Sequence, residues 1–130
     1  MAEDFDFWQD HSERFLLMAY QYDRNKKLES PDGVASRTGV CGDTITMYIA
    51  VADNRLTGLT YELSGCIHTN ACCNALAEMV LGQTIDRCWK IVPEDIINDL
   101  QTLPEDHYHC AELAAGTFFL ALSDCQKRSG

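Results

Sequence analysis

The sharpest pattern in the chain is a two-residue alternation between Thr44 and Ser64. Ile45, Met47, Ile49 and Val51 fall on one side of an extended chain, and Thr44, Thr46 and Tyr48 on the other. After a turn at Asp53-Asn54-Arg55, Leu59, Tyr61 and Leu63 alternate with Thr60, Glu62 and Ser64. This predicts an antiparallel hairpin with one buried face. Beyond Gly65 the period becomes helical: Cys73, Leu76, Ala77 and Val80 recur at three- and four-residue intervals, and Gly82 closes the segment.

Upstream, Phe15, Leu16, Met18, Ala19 and Tyr22 predict an amphipathic helix over about Phe7 to Lys27, with Lys26 and Lys27 suited to its C-terminal end. Ser30-Pro31-Asp32-Gly33 is a turn signal that stops it, and Ser36 to Gly42 reads as small, polar and extended. Downstream, Thr84 is a candidate N-cap for a short helix. Pro93 opens another with Ile96, Ile97 and Leu100 inward, and Leu103-Pro104 ends it. A last helix from about Cys110 to Cys125 carries Leu113, Thr117, Phe118 and Ala121 on one face.

A helix, then strands, then a run of helices, without strand–helix alternation, predicts an α+β fold. About three antiparallel strands form a small sheet, with the helices packed on one face. The 130 residues form one domain of ordinary size, with no repeat or dividing linker. The apolar fraction of 46% and charged fraction of 23% suit a globular protein. No stretch approaches the about 18 consecutive apolar residues of a membrane span. The acidic start, Met1-Ala2-Glu3-Asp4, has no apolar signal core, so a cytoplasmic location is expected.

Charge narrows the partners. Twenty acidic against ten basic residues give a net charge of −10, which disfavours nucleic acid and favours basic protein partners. Seven cysteines without a signal sequence point to reduced thiols, and their odd number agrees.

Three of those thiols have settings that suit a metal ligand. Cys41 lies in Gly39-Val40-Cys41-Gly42-Asp43, Cys66 follows Ser64-Gly65, and Cys110 follows His107-Tyr108-His109. Asp43 and His109 add an oxygen and a nitrogen donor, a mixed set that suits zinc or an iron–sulfur centre. In an extended segment Cys41 and Asp43 would face the same side. Cys66 and Cys110 are expected near helix N-termini, where the dipole favours thiolate. No C-x-x-C occurs, which disfavours a zinc ribbon or redox dithiol. Cys73 and Cys125 fall on apolar helical faces and read as packing, as more weakly do Cys72 and Cys88. Taken singly, Asp43 also fits a turn residue, His109 a surface or core histidine, and His68 a solvent-facing one, although two residues past Cys66 it could also approach the site.

Together Cys41-Gly42-Asp43, Gly65-Cys66, and Leu103-Pro104 followed by His109-Cys110 resemble the iron–sulfur cluster scaffolds of the IscU/NifU N-terminal family. The separations of 25 and 44 residues between the cysteines also suit it. Leu81-Gly82-Gln83-Thr84-Ile85-Asp86 is similar to its lysine-glycine-lysine-threonine-leucine-aspartate stretch, and Tyr20, Arg24 and Asn25 loosely match an N-terminal motif. The resemblance covers about residues 19–126, leaving 1–18 as a divergent N-terminal helix segment of the single 1–130 domain.

That resemblance implies a SufE/NifU-like fold and a non-enzymatic scaffold. Cys41, Cys66 and Cys110 would hold a transient [2Fe–2S] cluster, Asp43 would keep it labile, and His109 would be an optional further ligand. Iron and sulfur from a cysteine desulfurase would be the inputs and apo iron–sulfur proteins the recipients. Zinc would occupy Cys41, Asp43, Cys66 and Cys110 in the apo site, and the protein would be a monomer or homodimer. Leu103-Pro104-Glu105-Asp106-His107 departs from the family's leucine-proline-proline-valine-lysine segment, which argues against a dedicated DnaK-type chaperone. His107 replaces a lysine beside the site, and Cys72 and Cys73 replace small residues after Cys66. Two other readings compete: a zinc-dependent sulfur acceptor working with a desulfurase, and an interaction protein with buried cysteines.

Overall fold

A computed structural model describes residues 12–129. Its sheet has three antiparallel strands in the order β1 (Gly33–Thr38), β2 (Thr44–Ala52) and β3 (Arg55–Ser64). The β2–β3 register sets Ile45 opposite Leu63, Met47 opposite Tyr61 and Ile49 opposite Leu59. The alternation therefore gathers these side chains on one face, and all of them except half-buried Leu63 lie in the core. Asp53 and Asn54 make the connecting turn with φ of 53° and 63°, the conformation that matches the right-handed twist of a hairpin. A register shift at Ala50/Val51 keeps Leu56 inside as well.

Among the described residues there are five α-helices: α1 (Glu13–Ala19), α2 (Ile67–Val80), α3 (Ile85–Cys88), α4 (Pro93–Leu100) and α5 (Tyr108–Ser129). The α5 helix lies across β1 and β2, so close that the carbonyl of Ala121 occupies the space a side chain at Gly33 would need. The α2 helix packs between the sheet, α1 and α5, and is buried almost continuously from Thr69 to Ala77. The α+β architecture with helices on one face is as the sequence predicts. Among the described residues no helix is long and apolar enough to cross a membrane.

The opposite sheet face is polar. Ser36 and Thr38 share hydrogen bonds of 2.9 and 2.8 Å with Thr46 and Thr44, and the Tyr48 hydroxyl donates to Glu62 at 2.5 Å.

Three expectations are corrected. First, α1 ends at Ala19, so Lys26 and Lys27 are not in its last turn; the part predicted over 7–11 lies outside the described residues. The cause is a clamp from α2. The Asn70 amide donates to the carbonyls of Ala19 and Gln21, each at 2.9 Å, and the Asn74 amide to those of Met18 and Gln21, each at 2.8 Å. Carbonyls left unpaired at a helix end are thereby satisfied. The chain then runs beside β3, where the Tyr61 N–H donates to the Arg24 carbonyl.

Second, 36–42 is not uniformly extended. Strand β1 begins at Gly33 and stops at Thr38, and 39–43 forms a tight turn. Third, the last helix runs from Tyr108 to Ser129, preceded by a single 3-10 turn at Glu105–His107.

Candidate functional site

Cys66 is the N-cap of α2, and its carbonyl accepts the first helical bond from Asn70 N–H at 3.2 Å. A cap side chain usually takes a free helical amide. This thiol does not, and it stays exposed. Its partners are instead Asp43 Oδ2 at 3.7 Å, His68 Nδ1 at 3.7 Å and Thr69 Oγ1 at 3.8 Å.

Asp43 arrives from the β1–β2 turn. Gly39 N–H donates to the Asp43 carbonyl at 2.8 Å and Gly42 N–H to the Gly39 carbonyl at 3.0 Å, while Gly42 takes φ +92°. The turn carries Cys41 and Val40 at its exposed tip. Cys41 and Asp43 are thus placed by a turn rather than by strand alternation, and the thiol still comes within hydrogen-bonding reach of the carboxylate.

The Asp43 carboxylate presses on the backbone at Gly65. A Cβ there would lie 2.5 Å from Asp43 Cγ, so only glycine fits. Thr69 Oγ1 donates to Asp43 Oδ2 at 2.6 Å, and the Cys66 N–H at 3.4 Å. Burial works against the charge of Asp43, but bonds from Thr69, from the amide and thiol of Cys66 and from Cys41 outweigh it and hold the carboxyl below its ordinary value.

Cys110, the third residue of α5, is fully buried. Burial pushes its thiol up to about 12, relieved only in part by the Thr69 hydroxyl and raised further by Cys66, Cys41 and Asp43. The thiolate-favouring setting expected near the helix start is therefore absent for Cys110: desolvation overrides the dipole. His107 Nδ1 lies 3.9 Å from Cys110 Sγ. Ligand atoms of Cys66, His107 and Cys110 all fall within 4.8 Å of one another, the spacing a metal ion can bridge. His68 stacks on His107 with ring centroids 3.7 Å apart, and Phe15 flanks His68.

The structure thus gathers Asp43, Cys66 and Cys110, and holds Cys41 at the rim. It does not bring His109 into the convergent group. That ring lies 5.9 Å from the ring of His107 and lines a small recess with Arg37, Gly39, Val40, Glu112 and Leu113. His107, which the sequence places beside the site without deciding whether it joins, is in the group instead, and Thr69 is the site residue that sequence reasoning missed. The signal was present for both: His107 is three residues before Cys110, and Thr69 three after Cys66, so each shares a face with its thiol on a helical turn. Cys72, Cys73 and Cys88 are buried, the thiols of Cys72 and Cys73 driven strongly upward by desolvation, and Cys125 is half-buried against Gly33. All four read as packing.

A partly exposed set of sulfur, nitrogen and oxygen donors at one end of a small sheet suits a protein that handles a metal or sulfur. A sequence profile of the NifU-like N terminal domain matches residues 16–130, and the chain belongs to that family. It is 35% identical over 113 residues to the iron–sulfur cluster assembly scaffold protein IscU 1 of Archaeoglobus fulgidus, covering 85% of this chain and 74% of that protein. The IscU scaffold protein of Aquifex aeolicus is 28% identical over 106 residues, covering 79% and 68%. The crystal structure of the N-terminal part of a nitrogen-fixing NifU-like protein from Brucella abortus shares the fold. Its TM-score is 0.67 at 22% identity, covering 92% of this chain and 94% of that one.

Proposed function

We propose that this protein is an iron–sulfur cluster assembly scaffold: it gathers iron and sulfur, assembles a transient [2Fe–2S] cluster as cargo, and passes it on. The observation that carries the reading is the convergence of Cys66, His107 and Cys110 within 4.8 Å beside Asp43, with Cys41 exposed on the adjoining turn. The scaffold names of the relatives support it over the sulfur-acceptor alternative.

Each residue has a distinct part. Cys41 and Cys66 are exposed and reach incoming iron or sulfide without a change of fold. Cys110 gives a third sulfur from the buried side and must lose its proton as iron binds, since thiolate is the ligand form. Asp43, already charged, adds a hard oxygen donor, and His107 adds a nitrogen from the α5 side. A site with oxygen and nitrogen donors and one open side holds a cluster less tenaciously than four buried thiolates, which suits a protein that must release it. Sulfur would come from a cysteine desulfurase and the cluster would go to apo iron–sulfur proteins, with no reaction catalysed on a small-molecule substrate.

Anaerobic reconstitution with iron and sulfide tests this. A visible chromophore with equal iron and acid-labile sulfide is expected. Cys41→Ser, Cys66→Ser or Cys110→Ser should each weaken it at least several-fold. A triple variant that assembled the cluster unchanged would overturn the site.

A further inference from the structure

Thr69 is fully buried, yet its hydroxyl lies among three of the would-be ligands. It donates to Asp43 Oδ2 at 2.6 Å, sits 3.8 Å from Cys66 Sγ, and is within hydrogen-bonding reach of the Cys110 thiol. The hydroxyl has one proton, and the short bond commits it to Asp43. Its lone pairs are what remain for the two thiols.

The geometry also fixes which part of Asp43 is engaged. The bonds from Thr69, from Cys66 N–H and from Cys66 Sγ all fall on Oδ2. The same oxygen and the carboxyl carbon also rest against Gly65, where a side chain would meet them. Backbone and hydroxyl together pin one oxygen, and Oδ1 carries none of these three bonds.

We infer that Thr69 is the positioning residue of the site: its hydroxyl holds Asp43 by Oδ2 and so fixes the orientation in which the carboxylate meets the metal. This rests on the scaffold reading for the identity of the cargo, but concerns any divalent ion held by Asp43. Partners that orient a ligating carboxylate from outside typically change metal affinity about 10- to 100-fold when removed. Valine has the shape of threonine without the donor, so Thr69→Val isolates the hydroxyl.

The test measures zinc affinity of the apoprotein by competition with a chromophoric chelator, alongside thermal unfolding. Thr69→Val should bind zinc about tenfold more weakly than the parent chain, whereas Thr69→Ser, which keeps the donor, should stay within about threefold of it. In an Asp43→Ala background the same Thr69→Val change should alter affinity by less than about twofold, because the partner through which it acts is gone. An equal loss in both backgrounds would overturn the inference, as would a Thr69→Val protein that binds zinc like the parent. The scaffold reading fails separately: a parent chain that binds zinc with this Thr69 dependence but assembles no cluster would retain the positioning role and remove the cargo.

Discussion

At Gly65 one missing carbon decides whether Asp43 reaches the site. A methyl group there would stand 2.5 Å from Asp43 Cγ and 2.6 Å from Oδ2, inside any tolerable contact. The carboxylate is the more mobile of the two, held by a side-chain torsion and a handful of hydrogen bonds, so it would yield. Gly65→Ala should therefore leave the fold standing, with thermal unfolding changed little. Cluster yield should fall several-fold as Asp43 is pushed off Thr69 and Cys66. A Gly65→Ala protein with parental yield would show that Asp43 does not need this seat. The role of Gly65 as a neighbour of Cys66 was visible in the sequence. Its reason was not, because the clash comes from a residue 22 positions earlier on another element.

The clamp between α2 and the end of α1 belongs to the scale of elements. Asn70 makes three bonds, two of them buried: its amide caps Ala19 and Gln21, and its oxygen accepts from the Tyr61 hydroxyl at 2.6 Å. Asn74 repeats the arrangement one turn later, with its oxygen facing Arg24 at 3.2 Å. Asn70→Ala would leave the Tyr61 hydroxyl and the Ala19 carbonyl without this partner, while Asn74 still serves the Gln21 carbonyl, at about 1–3 kcal/mol for each group left buried and unpaired. A loss of about 3 kcal/mol or more in chemical denaturation is expected; a loss below about 1 kcal/mol would mean that water or rearrangement replaces the clamp.

This clamp also shows where sequence reading stops. The alternation of Ile45, Met47 and Ile49 against Thr44, Thr46 and Tyr48 is a local pattern, and it translates directly into the strand and its buried face. The end of α1 is not local. Met18 and Ala19 continue an apolar stripe toward Tyr22, and only asparagines more than 50 positions away settle that the helix stops. Of the site, the three cysteines and Asp43 were legible from their glycine and polar neighbours, although Cys110 lies in the core and that burial was not legible. The sequence places His107 and His109 equally beside Cys110; that the His107 ring lies next to the thiol follows from the 3-10 turn leading into α5.

Over the whole molecule, burial of uncharged thiols couples stability to alkaline pH. Cys110 is pushed from an ordinary 9.0 up to about 12, and Cys72 and Cys73 are raised strongly in the same direction, all by desolvation first. The unfolded chain releases these protons from about pH 9, while the folded protein still holds them. Their contribution to stability is therefore complete below pH 9 and is lost as pH rises toward 12 and beyond. Denaturation midpoints should fall steadily over that interval, and Cys73→Ala should flatten the fall relative to its own midpoint at pH 7. An unchanged alkaline slope in that variant would mean that other groups control it.

The β1–β2 turn has a consequence for release. Only two backbone hydrogen bonds cross it, Gly42 has no side chain to restrict it, and Cys41 stands at its exposed tip. Asp43, at the other end, is tied to α2 before any cargo arrives. On the scaffold reading, fixing Cys41 on iron removes conformational freedom from Gly39 to Gly42, about 1–2 kcal/mol for each residue newly fixed. That freedom returns at handover. Chain entropy then favours departure, whatever the recipient.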